Sequence, residues 1–211
     1  MDGIIFDIDG TLWDSREQVA HGWNQAIREF SSLDVQVDLP WLKQLFGRPM
    51  TEIACILFPE LEENSRALLM EQCYIYELDY LRTHPAPLYP YVAETIQELS
   101  RTYPLFIVSN CQCGYIECCI ESTQIDSYIT DFACFGDTNQ PKNETIKLIM
   151  KRNHLKSPIY IGDIQGDADA CQIAGIPIIH AAYGFGTIKE PAAVIENFRE
   201  LLTLIPLLQH S

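Results

Sequence analysis

The sequence predicts an α/β fold with a doubly wound (Rossmann-like) parallel sheet as its core and an inserted helical-bundle cap domain. From Pro90 onward, short and almost continuously apolar stretches alternate with helical patterns, which is typical of a parallel sheet covered on both faces. A helical block with no strand pattern separates the first apolar stretch from this alternation. We therefore assign residues 1–14 and 87–211 to the core and residues 15–86 to the cap.

The first predicted strand is Ile4-Ile5-Phe6, which has no place to bury its side chains other than the sheet. Apolar residues then recur at helical spacing, with Ser15 as a possible N-cap. After Pro40, two further segments have a helical period: LKQLFGRPMTEIACILF and LEENSRALLMEQCYIYELDYLRTH.

The second half of the chain supplies the remaining strands of the sheet. The predicted elements are, in order, the helix YVAETIQELSRT, the strand LFIVSN, a helix from Gly114, the strand DFACF, the helix ETIKLIMKRNH, the strand PIYIGD, the helix GDADACQIAG, the strand IPIIHA and a last helix from Pro191.

The composition excludes some classes of function. The chain has 211 residues, of which 47% are hydrophobic and 20% charged, so it can build a core. Its net charge of −15 argues against a nucleic-acid or anionic-membrane partner, both of which need clustered cations. No apolar run approaches the roughly 20 residues that span a bilayer. No sequence signal indicates the oligomeric state.

The eight cysteines indicate free thiols in a reducing, cytoplasmic environment. They include no C-x-x-C pair, most fall in apolar periodic segments, and the N-terminus shows no signal-peptide pattern. A metal or redox role for the cluster from Cys111 to Cys119 stays open.

Polar side chains follow several of the predicted strands. Ligands of open parallel sheets bind outside the carboxyl ends of the strands, so we expect these side chains to meet at one edge. They are Asp7, Asp9, Ser109, Asn110, Lys142, Asp163 and Asp167.

This set of residue types favours phosphoryl transfer. Converging carboxylates without histidine or cysteine predict Mg²⁺ as the cofactor. Lys142, Ser109 and Asn110 are suited to holding a phosphate. A carboxylate can attack phosphorus to form an aspartyl-phosphate, and a second carboxylate two residues away can move the proton.

The motifs DIDGT, VSN, a lysine that opens a helix and GDIQGD occur in order and resemble those of the haloacid dehalogenase-like hydrolase superfamily. The resemblance covers the whole chain, and the helical insertion after the first strand is similar to the cap of the phosphoglycolate phosphatase-like branch. The resemblance implies Asp7 as nucleophile and Asp9 as general acid/base. It also implies Mg²⁺ bound by Asp7, Asp163 and the backbone carbonyl of Asp9, with Asp167 as an outer acid near the metal or Lys142.

Several alternatives remain at this point. Lys147 competes with Lys142, and Arg48 in the cap segment FGRPM is a possible substrate contact. The predicted activity is a Mg²⁺-dependent phosphatase for a small phosphorylated metabolite, with phosphoglycolate as the family default. The alternatives are a phosphomutase of the β-phosphoglucomutase type, a phospho-aspartate signalling receiver and a non-catalytic phosphate-binding module. A dehalogenase is disfavoured because Asp9 is present.

Overall fold

We describe residues 1–208 of a computed structural model of the chain. The first strand leads into four helices, and a fifth helix leads back towards the sheet. These elements are β1 (Ile4–Phe6), α1 (Arg16–Phe30), α2 (Leu39–Leu45), α3 (Met50–Leu57), α4 (Glu63–Thr83) and α5 (Val92–Ser100).

Strands and helices alternate in the second half, as the apolar pattern predicts. The elements are β2 (Leu105–Ser109), α6 (Tyr115–Ser122), β3 (Asp131–Cys134), α7 (Phe135–Thr138), α8 (Lys142–Arg152), β4 (Ile159–Gly162), α9 (Gln165–Ala174), β5 (Ile178–Ala181), β6 (Ala193–Ile195) and α10 (Leu201–Leu208).

The strands form one parallel sheet in the order β3-β2-β1-β4-β5-β6. β1 is central, with Ile4 opposite Leu105 of β2 and Ile159 of β4. This order confirms the predicted α/β fold, and it places the carboxyl ends of β1, β2 and β4 side by side.

Alternate side chains of each strand enter two separate hydrophobic cores. Ile4 and Phe6 pack with α5, α6 and α10 on one face, whereas Ile5 packs with α8 and α9 on the other. Both faces are therefore covered by helices, which explains why the strands read as continuous apolar runs.

The helices from α1 to α4 have a third core of their own, which includes Val19, Trp23 and Leu69. α1 and α4 approach closely at Gly22, where an added Cβ would lie 2.7 Å from the backbone of Glu77. A side chain at position 22 would therefore push these two helices apart.

One sequence prediction is wrong in detail. Residues after Pro191 do not begin a helix, because the β-branched segment Ala193–Ile195 pairs with β5 and the helix starts only at Leu201. The segment LKQLFGRPMTEIACILF, which has a helical period, forms the two helices α2 and α3. The break lies at Gly47, where φ is 82°, and Pro49 precedes α3.

No helix within residues 1–208 is long and apolar enough to cross a membrane. All eight cysteines are free thiols. In the cluster from Cys111 to Cys119, burial raises the pKa of Cys111 and Cys119 well above the ordinary value, whereas Cys113 is exposed. High pKa values keep Cys111 and Cys119 protonated and therefore poor ligands and nucleophiles.

Candidate active site

A pocket between the sheet edge and the helices from α1 to α4 contains many of the predicted polar residues. Asp7 and Asp9 follow β1, and Ser109 and Asn110 lie at the end of β2. The volume that a water-sized molecule can occupy in this pocket is about 30 Å³, and the pocket is partly open to solvent.

The turn after β1 points Asp7 and Asp9 to different surroundings. Its conformation depends on Gly10, which has a φ of 82° and leaves no room for a side chain, since an added Cβ would lie 2.1 Å from Asp163 Oδ2. The glycine therefore permits both the turn and the close approach of the third carboxylate.

Lys142 is buried at the start of α8 and lies between two carboxylates. Its Nζ donates to Asp7 Oδ1 at 2.9 Å and to Asp167 Oδ1 at 2.6 Å. Burial alone would lower the pKa of Lys142, but Asp167 and Asp7 raise it, so the ammonium stays charged. Lys147, the competing lysine, pairs with Glu144 at the surface and lies outside the site.

Asp163 and Asp167 follow β4 and are both fully buried. Asp167 Oδ2 accepts from the backbone N–H of Asp163 at 3.1 Å and of Ile164 at 3.3 Å, so it also caps α9. Asp163 Oδ2 accepts from the backbone N–H of Phe185 at 2.7 Å. These bonds fix both carboxylates beside Asp7.

The three carboxylates of Asp7, Asp163 and Asp167 are close enough to hold a metal ion together. One oxygen from each lies within 4.8 Å of the others, and no further group of this kind occurs within residues 1–208. Burial raises the pKa of Asp7 to about 7, and burial with the neighbouring carboxylates raises that of Asp163. One ammonium does not balance three buried acids, and an all-oxygen donor set fits Mg²⁺.

One carboxylate oxygen of Asp9 is held by the chain that leads into α1 and by α6. Its Oδ1 accepts from Trp13 Nε1 at 2.9 Å, Ser15 Oγ at 2.7 Å and Tyr115 Oη at 2.8 Å. Burial raises the pKa of Asp9 to about 6, and these three hydrogen bonds limit the rise. The side chain of Asp9 is not one of the three that converge, and the assignment of its backbone carbonyl to a metal stays a prediction of the resemblance.

The prediction that Ser15 is the N-cap of a helix is only half right. Ser15 occupies the N-cap position of α1, but its side chain makes no capping hydrogen bond, because the hydroxyl is used by Asp9. The local pattern alone favours a cap; the tertiary contact decides otherwise.

Ser109 and Asn110 meet the pocket in different ways. Ser109 is buried at the end of β2, beside the turn that carries Asp7 and Asp9. Asn110 Nδ2 donates to the backbone carbonyl of Gly47 at 2.8 Å, which joins the sheet edge to the segment between α2 and α3. Asn110 Oδ1 is buried without a hydrogen-bond partner.

Arg48 lies beside the pocket, in the same segment as Gly47. Its side chain is half exposed, pairs with Glu52 and donates from Nε to the carbonyl of Gln44. The adjacent Phe46 ring contacts Phe185, with centroids 5.7 Å apart, so this segment rests on the core next to Asp163.

The sequence prediction does not assign Trp13, Tyr115, Glu77 or Gln112 to the site. Tyr115 reaches Asp9 across 106 positions of sequence, and Gln112 reaches Glu77 across 35. No local sequence pattern predicts such contacts. The segment AAYGFG, which contains Phe185, carries the only signal, since its glycines allow the close approach to Asp163.

Comparison with known proteins gives a consistent family. The sequence model of the haloacid dehalogenase-like hydrolases matches residues 4–181. A phosphoglycolate phosphatase of Photorhabdus laumondii subsp. laumondii is 26% identical over 220 residues, covering 97% of this chain and 92% of that protein. A phosphoglycolate phosphatase of Photobacterium profundum is 26% identical over 225 residues, covering 97% and 95%.

Solved structures share the fold at lower identity. A predicted phosphoglycolate phosphatase from Haemophilus somnus has a TM-score of 0.82 at 21% identity, covering 97% of this chain and 98% of that chain. A mutant of CbbY from Rhodobacter sphaeroides in complex with xylulose-(1,5)bisphosphate has a TM-score of 0.81 at 16% identity, covering 95% and 96%.

Proposed function

The chain belongs to the haloacid dehalogenase-like hydrolase family, in its phosphoglycolate phosphatase-like branch, and is a phosphoric monoester hydrolase; from this premise we propose that it is a Mg²⁺-dependent phosphatase that works through an aspartyl-phosphate. The observation that carries the proposal is the division of the two acids after β1. Asp7 lies against Lys142, whereas Asp9 is held separately by Trp13, Ser15 and Tyr115.

We assign the metal to Asp7, Asp163 and the backbone carbonyl of Asp9. Bound there, Mg²⁺ supplies positive charge that offsets the phosphate and the converging carboxylates. Asp167 orients Lys142 and caps α9, which makes it a supporting acid. Lys142 and Ser109 are the groups that hold the phosphate. Asn110 Oδ1 has free lone pairs, so it suits a hydrogen-bond donor of the substrate better than the phosphate anion.

The two carboxylates divide the reaction. An oxygen of Asp7 attacks phosphorus, and the bond from phosphorus to the ester oxygen breaks as Asp9 donates a proton to that oxygen. The unprotonated Asp9 then takes a proton from a water molecule that attacks the same phosphorus. The bond to Asp7 breaks, and inorganic phosphate leaves. A pKa of about 6 for Asp9 allows both protonation states near neutral pH.

The helical insertion has the role of a cap in this proposal. We take residues 1–14 and 87–211 as the catalytic core, of which 209–211 lie outside the described residues, and 15–86 as the cap. The contacts from Asn110 to Gly47 and from Phe46 to Phe185 support closure of the cap over the site, which excludes bulk water. The small pocket supports a small phosphorylated metabolite as substrate, and a cytoplasmic location stays a prediction from the cysteine usage.

Substitution and metal removal test this function. The wild-type protein should release phosphate from an aryl phosphate with Mg²⁺ and lose the activity with a chelator. Asp7→Asn should lower kcat by about 10⁴-fold or more, because the nucleophile is lost. Asp9→Asn should lower it by about 10²- to 10⁴-fold and accumulate a phosphorylated protein detectable by intact mass.

Asp169→Asn is the matched control, because Asp169 is exposed on α9 and contacts only Gln165. Retained turnover in Asp7→Asn would contradict the assignment of the nucleophile. Isomerisation of a hexose phosphate without release of phosphate would instead support the phosphomutase alternative.

A further inference from the structure

The cap places a carboxylate of its own in the active-site pocket. Glu77, on α4, is 2% exposed and lines the same pocket as Asp7 and Asp9. Its position depends on Gly22 of α1, because a Cβ at that position would lie 2.7 Å from the backbone of Glu77. The packing of the two cap helices therefore holds this acid over the site.

The hydrogen bonds of Glu77 come only from neutral groups. Oε2 accepts from Trp23 Nε1, and Oε1 accepts from Gln112 Nε2 at 3.0 Å. No Lys or Arg within residues 1–208 forms an ion pair with it. Burial raises the pKa of Glu77 to about 8, with a small contribution from Asp9.

The cations near the pocket are already engaged. Lys142 lies between Asp7 and Asp167 on the core side. Arg48 pairs with Glu52 on the cap side. The cap side of the pocket also presents the apolar side chains of Trp23, Met50 and Ile53. At Glu77 the pocket thus offers a hydrogen-bond acceptor that no cation within residues 1–208 neutralises.

We propose that Glu77 is a specificity-determining residue, which accepts a hydrogen bond from an ammonium or hydroxyl group of the substrate and disfavours a carboxylate there. Each carboxylate oxygen accepts more than one hydrogen bond, so Glu77 retains capacity beside Trp23 and Gln112. A donor from the substrate fills it, and an ammonium also favours loss of the Glu77 proton, whereas a substrate carboxylate would be buried beside Glu77 without a cation.

This inference rests on the proposed phosphatase function and narrows its substrate. It favours phosphomonoesters of amino alcohols or polyols, which are hydrogen-bond donors beyond the phosphate. It also predicts that phosphoglycolate, the substrate named for the relatives, is a poor substrate for this chain, because phosphoglycolate ends in a carboxylate.

The first experiment compares substrates on the wild-type protein. We expect kcat/KM with Mg²⁺ to be at least about ten-fold higher for phosphoethanolamine or glycerol 3-phosphate than for 2-phosphoglycolate. A preference for phosphoethanolamine identifies an ammonium as the partner, and one for glycerol 3-phosphate identifies hydroxyls. Equal or faster hydrolysis of 2-phosphoglycolate overturns the inference and leaves the phosphatase function intact. Failure to hydrolyse any of these or an aryl phosphate overturns both.

The second experiment changes the residue. Glu77→Gln keeps the size of the side chain and removes the carboxyl group. The ratio of kcat/KM between the preferred substrate and 2-phosphoglycolate should therefore fall at least about five-fold. Glu71→Gln is the matched control, because Glu71 is an exposed acid on the same helix, and its ratio should match the wild type. An unchanged ratio in Glu77→Gln contradicts the inference. If that variant does not fold, the wild-type ratio decides alone.

Discussion

The core and the cap both bury carboxylates at the active-site pocket, but they surround them differently. In the core, Asp7 and Asp167 share the ammonium of Lys142, and Asp163 lies close enough to complete a metal site. In the cap, Glu77 has only the neutral donors Trp23 and Gln112. The core thus carries its own countercharge, while the cap buries a carboxyl group that forms no ion pair within residues 1–208 and whose pKa burial raises to about 8.

The difference follows from how each region is built. Parallel strands deliver residues from distant segments to one edge, so acids and a lysine can be combined there. The cap helices pack through apolar faces and one glycine, so a polar group among them meets few partners. Under the proposed function, the core supplies the phosphoryl-transfer chemistry, and the isolated acid of the cap is where selection of one substrate can occur.

Removing the countercharge of the core should have the largest effect on stability. Lys142→Met leaves Asp7 and Asp167 buried without their cation, so we expect the free energy of unfolding to fall by about 3–5 kcal/mol at pH 7 without metal. Urea denaturation measures this change. Lys147→Met is the control, because Lys147 is half exposed on the same helix, and it should cost about 0.5 kcal/mol or less. Similar losses for both variants would remove the contrast between core and cap.

Replacing the cap acid Glu77 by a neutral side chain should raise the free energy of unfolding rather than lower it, and the size of this effect should depend on pH. The pKa of Glu77 rises from 4.5 to about 8 on folding, so the folded protein holds a proton that the unfolded chain releases. Stability from this group is complete below about pH 4.5 and is lost as the pH rises through about 8. The Glu77→Gln variant does not lose this stability, because glutamine does not titrate.

Relative to the wild type, Glu77→Gln should therefore gain stability between pH 5 and pH 8.5, by an amount on the order of 3 kcal/mol. Denaturant curves of both proteins at the two pH values, without metal, measure the gain. Asp7 and Asp9 titrate in both proteins and cancel in the difference. Cys73 stays neutral in this range, because burial raises its pKa to about 12. A difference that does not change with pH would show that Glu77 is charged in the folded protein throughout.

The smallest expected effect tests the glycine that positions the cap acid. Gly22→Ala places a Cβ 2.7 Å from the Glu77 backbone, which should destabilise the fold by about 1–3 kcal/mol as α1 and α4 separate. Gly166→Ala is the control, since its Cβ would first meet Ile164 at 3.4 Å and alanine favours the helix. Thermal unfolding compares the two, and equal melting temperatures would show that the helix pair tolerates the methyl group.

Much of the core could be predicted because its signals are local. Three or four apolar residues in a row ending in a carboxylate identify β1 and β4, and the choice of Lys142 over Lys147 follows from its place at the start of α8. The helix predicted from Pro191 is wrong because Ala193–Ile195 is too short to have a readable period, and its pairing with β5 decides its structure. The serine at position 15 fits a cap by type, but the proximity of Asp9 redirects its hydroxyl.

The sequence by itself determined the α/β class, the insertion after the first strand and the acids and lysine at the sheet edge, because strand period, turn glycines and residue chemistry are properties of neighbouring positions. Only the tertiary structure decided that Tyr115 and Ser15 hold Asp9, that Asn110 reaches Gly47 and that Glu77 enters the pocket with Trp23 and Gln112. Most of these contacts join residues tens of positions apart. They form only when the helices and the sheet pack against one another, and no local pattern records which partners that packing brings together.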